Sequence, residues 1–76
     1  MSFTESVAAN VRAEVARKGK TQTELAFGIG MSKQSVSAKM NADSAFTLND
    51  LERIANWLGI DIQILFQPVR SDLIAA

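Results

Sequence analysis

Two helix starts stand close together near the middle of this chain, with a glycine between them. Thr21-Gln22-Thr23-Glu24 has the spacing of a capping box, in which the threonine hydroxyl accepts from the third helical N–H and the glutamate returns to the cap's own N–H. Leu25, Ala26 and Ile29 supply the apolar side of a short helix, and Gly30 can take the left-handed conformation that a sharp turn needs. Ser32 then opens a second short helix as its N-cap, with Val36 and Met40 inward at helical spacing. Locking two such helices at a fixed angle requires a small residue where they cross, which Ala26 supplies. It also requires apolar residues facing one core from both sides, as Leu25, Ile29, Met31 and Val36 do.

The flanking sequence reads the same way. Ser2-Phe3-Thr4-Glu5 is another capping box, followed by Val7, Ala8, Val11 and Val15 on one helical face and by Gly19 as a stop. A loop spans Asn41 to Ala45, and a fourth helix starts near Thr47, with Leu48, Leu51, Ile54, Ala55 and Leu58 as its stripe and Gly59 as its end. Residues 60–67 are ambiguous. Their period-two alternation and β-branched content predict a strand before Pro68, which would pair with the same strand of a second subunit because the chain offers no other partner. The alternative is a fifth helix capped by Asp61 that packs Ile62, Leu65 and Phe66.

At 76 residues the chain holds one domain, 1–76, marginal alone and stabilised by dimerisation. Its 47% apolar content suffices for a core and rules out a disordered tail. Without cysteine or histidine it has no disulfide framework, zinc site or imidazole base, so no metal or cofactor is expected. It has no long apolar span, and Met1-Ser2-Phe3-Thr4-Glu5 lacks the features of a signal peptide, so a soluble cytoplasmic protein is expected. No nucleophile–base constellation or phosphate-binding glycine loop is present, which argues against an enzyme. The net charge of zero argues against nucleic acid until it is divided: residues 1–41 carry +3 and residues 42–76 carry −3. DNA responds to the local face, which makes the N-terminal half the candidate.

The run from Gln22 to Ser37 resembles the Cro/C1-type phage-repressor family, also called the Xre family. It carries Gln22-x-x-Leu25-Ala26, the turn glycine, and Ser32-x-x-x-Val36-Ser37 in order, and Leu51-x-x-Ile54-Ala55-x-x-Leu58-Gly59 is also similar. The resemblance covers roughly residues 5–59. It implies a mainly all-α fold, a four-helix lambda-repressor-like DNA-binding domain, with the segment 60–68 as a dimerisation strand or a fifth helix. Three positions depart from the pattern. Lys39 stands where an apolar residue is usual, Met40 where glutamate is common, and Ala42 where glycine is common. Either the third helix ends differently, or Lys39 packs its stem and turns its amine to solvent.

The resemblance implies base contacts by Lys33, Gln34 and Ser37, with Ser35 and Ala38 as further candidates. Lysine suits guanine O6 and N7, and glutamine pairs with adenine N6 and N7. Phosphate contacts are expected from Gln22, Thr21, Thr23, Ser32, Lys39, Asn41 and Ser44, and a dimer surface from Ile60, Ile62, Ile64, Phe66 and Trp57. The function implied is a homodimeric transcription regulator, a repressor, on double-stranded DNA. Its two reading helices would enter major grooves about 34 Å apart on a pseudo-palindromic operator, with strongly salt-dependent affinity. Two rivals stand beside it: an antitoxin whose tail Val69–Ala76 contacts a toxin protein, and an interaction module that keeps the fold without binding DNA.

Overall fold

The structure, a computed structural model, describes residues 2–68, which form five helices and no strand. Helix α1 spans Phe3–Arg17, α2 Gln22–Ile29, α3 Lys33–Met40, α4 Leu48–Leu58 and α5 Gln63–Phe66. Each long start is fixed by its own side chains. Ser2 with Glu5, Thr21 with Glu24 and Thr47 with Asp50 form complete capping boxes, and Ser32 caps α3 by accepting from the Ser35 N–H at 3.1 Å. One core takes Val7, Val11 and Val15 of α1, Leu25, Ala26 and Ile29 of α2, Val36 and Met40 of α3, and Leu51, Ile54, Ala55 and Leu58 of α4. Each fully buried large aliphatic among them contributes about 2–3 kcal/mol. Leu48 was expected in the α4 stripe but sits at the helix's first position and is exposed.

The expected strand is corrected: the segment forms a short helical turn. A strand with Ile60, Ile62, Ile64 and Phe66 inward would turn Leu65 outward, yet Leu65 is wholly buried in the core. The turn satisfies its backbone locally, with the Ile64 N–H donating to the Asp61 carbonyl and the Leu65 N–H to that of Ile62. Asp61 does help to start it, its carboxylate accepting from the Gln63 N–H at 2.9 Å. Asn10 of α1 closes the other end, donating through Nδ2 to the carbonyls of Leu65 (3.0 Å) and Gln67 (2.6 Å). Phe3 and Phe66 stack at 6.3 Å between centroids, completing the α1–α5 seam. The tail Val69–Ala76, the candidate toxin contact, lies outside the described residues.

Candidate nucleic-acid interface

The α2–α3 unit turns on Gly30, whose φ of 70° only glycine adopts freely. The Met31 N–H reaches back to the Ala26 carbonyl at 2.9 Å, closing α2 before Ser32 starts α3. Ala26 and Leu25 are both buried in the core. At the start of α2, Thr21, Gln22 and Thr23 are exposed, and the N–H groups of the first helical residues, Gln22 and Thr23, have no partner within the helix. Thr21 itself is occupied as the cap.

On α3 the structure brings Lys33, Gln34, Ser37, Ala38 and Asn41 together. With Asp43 they line one open concavity on the outer side of the helix. Lys33 and Gln34 are exposed in its first turn, and Ser37 and Ala38 are half-buried behind them. Ser35 does not join this face. At about 100° per residue it points about 130° from the middle of that face, and its side chain is half-buried. Ser44 is exposed in the loop beyond.

Lys39 departs from the expected phosphate contact. It projects about 170° from the middle of that concave face, and its ammonium lies 2.7 Å from Asp50 Oδ2 with both side chains largely buried. Asp50 also accepts from the Thr47 N–H at 2.9 Å through the same oxygen. Burial pushes the Asp50 carboxyl up, but the bonds from Lys39 and Thr47 outweigh it and hold the group below its ordinary range. Arg12 of α1 donates to the Met40 carbonyl, placing a cation at the C-terminal end of α3. The two departures at residues 39 and 40 therefore resolve inward: an ion pair replaces one apolar contact, and Met40 enters the core.

The same accounting changes the electrostatic expectation. Arg17 pairs with Glu14 at 3.1 Å, Lys20 lies 5.8 Å from the Trp57 ring, and Arg12 and Lys39 are engaged as described. Lys33 is the one cation among the residues lining the α3 concavity. Four of the six cations of the N-terminal half thus make a contact within the fold. Trp57, expected at a dimer surface, packs within the protomer: its indole covers Gly28 so closely that a Cβ there would fall 2.2 Å from Nε1. The sequence pattern marks neither the seat of Trp57 at Gly28 nor the bonds from Asn10. The Thr47-x-x-Asp50 spacing was a readable sign of the capping half of the Asp50 role.

A short capped helix, a glycine turn and a second capped helix presenting polar side chains outward define a helix-turn-helix DNA-binding regulator. A family model described as Helix-turn-helix matches residues 11–65, and the chain belongs to that family, in its Cro/C1 type. Among solved structures it is similar to "hypothetical transcription factor NHTF from Neisseria", at 28% identity and a TM-score of 0.84, over 99% of this chain and 86% of that one. Among curated proteins none matches. Among the described residues no helix is long and apolar enough to cross a membrane.

Proposed function

We propose that this DNA-binding transcription regulator is a sequence-specific repressor, acting in the cytoplasm as a homodimer on a pseudo-palindromic operator. The observation that carries the reading is the open concavity on α3, where Lys33, Gln34, Ser37 and Ala38 are presented together after a fixed turn. Lys33 and Gln34 address base edges, Ser37 supports them, and Ala38 meets a thymine methyl. Gln22, Thr21, Thr23 and Ser32 at the helix starts, with Asn41 and Ser44 beyond α3, hold phosphates. With one reading-face cation and few others free, polar and backbone donors carry this anchoring, and the salt slope is shallower than the charge division suggested.

The dimer surface we assign to the groove between α4 and the chain after it, lined by Glu52, Ala55, Asn56, Ile60 and Ile62. Half-buried Ile64 lies beside it in sequence and does not join the core. A second reading, a module that binds only protein, is favoured by one observation: Arg12, Arg17, Lys20 and Lys39 each make a contact within the protomer.

Selection from random duplexes at roughly physiological salt separates the two. An inverted repeat with half-sites about one helical turn apart is expected, with Lys33→Ala and Gln34→Ala each relaxing one position. No enrichment, even at low salt, moves the assignment to the protein-binding module.

A further inference from the structure

Asp43 is an acid on a surface meant for a polyanion. It lines the same concavity as Lys33 and Gln34, and it takes part in neither of the two ion pairs among the described residues, Arg17–Glu14 and Lys39–Asp50. Its backbone is pinned. The Asp43 N–H donates to the Ala38 carbonyl at 2.9 Å, and the preceding Ala42 is held at φ 61°, the one non-glycine residue of the described chain in the left-handed region. The carboxylate therefore leaves the end of α3 from a fixed point and faces the reading side.

A carboxylate only accepts hydrogen bonds. Against phosphate it is repelled, so on this surface it favours binding only where the partner is a donor. In the major groove the donors are exocyclic amino groups, and cytosine N4 is the one that acidic side chains take. Resting on the DNA-binding reading above, we infer that Asp43 is a specificity-determining residue that accepts from a cytosine N4 amino group. It contacts a base pair distinct from the one Lys33 reads. Lys33 opens the eight-residue α3 and Asp43 lies just past its other end, about 12 Å along the helix axis and so much farther than the roughly 3.4 Å rise of one base-pair step.

The test compares the unaltered protein with Asp43→Ala and Asp43→Asn in duplex selection, and measures affinity for a random duplex at low salt. The side chain is exposed and the pinning bond is backbone, so both variants retain the fold. The expected result for Asp43→Ala is opposite in sign in its two parts. Preference for cytosine at one position per half-site falls by about fivefold or more, while binding to random duplex tightens severalfold because a like charge is gone. Asp43→Asn shifts that position towards adenine. A purely structural role would weaken both kinds of binding together. An enriched motif left unchanged by Asp43→Ala overturns this inference alone. No enriched motif with the unaltered protein overturns the DNA reading and this inference with it.

Discussion

Helices α2 and α3 are equal in length and differ in how they are held. Of eight residues, α2 buries Leu25, Ala26 and Ile29, ends on a glycine, and is covered on another side by the Trp57 indole. Helix α3 buries only Val36 and Met40. The rest of its attachment is ionic and polar: Lys39 to Asp50 of α4, and Arg12 of α1 to the Met40 carbonyl. A helix that turns five of its own or its capping residues into one open concavity has few left to bury. Helix α3 therefore exchanges apolar packing for charged contacts at its back, and its seat depends on two residues of other helices.

The comparison breaks first at Asp50. Asp50→Ala removes one half of a capping box and leaves the Lys39 ammonium without its partner in a largely buried place. The expected loss is about 3 kcal/mol, read as a melting temperature lowered by more than about 10 °C. Little change would mean that α3 is seated by apolar contacts, as α2 is. Acid gives the same reading without mutation. The folded carboxyl titrates below its ordinary value of 3.8, so the unfolded chain takes up the proton first and stability rises with pH across that window. The contribution is whole above about pH 4 and is lost as pH falls through the folded value. Urea midpoints between about pH 2 and 5 should flatten in Asp50→Asn. A residual slope remains from Glu5, whose carboxyl the Ser2 N–H and hydroxyl hold low.

The second test sits on the α2 side. By intrinsic propensity Gly28→Ala should stabilise a helix by about 1 kcal/mol. Here the new Cβ would lie 2.2–2.7 Å from three atoms of the Trp57 indole, a rigid ring that must move bodily. Steric exclusion wins, and a net loss of about 2 kcal/mol is expected. Trp57 is the only tryptophan, so its emission should shift to the red as the ring leaves its seat. A stabilised variant with unchanged emission would sever Trp57 from α2.

What could be read from sequence follows from range. The helix starts at Ser2, Thr21 and Ser32 and the stops at Gly19, Gly30 and Gly59 are decided within four or five residues, and they stand where the spacing placed them. The core faces of α1, α2 and α3 are equally local, since periodicity alone orients them. Contacts across the sequence were not legible. Nothing near Asn10 indicates that it closes α5, nothing near Gly28 announces Trp57, and Lys39 carries no local mark of Asp50. Residues 60–67 failed for a related reason. Their alternation is real, but Leu65 finds its place in a core packed from other helices, α1 among them, which local pattern does not show.

The smallest effect is expected at Ala42, where the two helices differ in their final residue. Four helices close with the same backbone bond, from Lys20 to Val15, Met31 to Ala26, Asp43 to Ala38 and Ile60 to Ala55, each near 3.0 Å. Three of these closures turn on glycines at φ 68–70°, and α3 turns on Ala42 at φ 61°. A side chain in that region costs about 1–2 kcal/mol, partly offset because glycine has more freedom to lose on folding. Ala42→Gly should therefore stabilise the fold by roughly 0.5–1 kcal/mol in urea titration. A loss instead would mean that the Ala42 methyl packs to better effect than its strain costs. DNA selection by the same variant sharpens the comparison. If the alanine serves only to close α3, the motif is unchanged. If its restricted backbone is what aims Asp43, the cytosine position relaxes while the fold becomes more stable, and strain at the end of the reading helix is then part of its recognition.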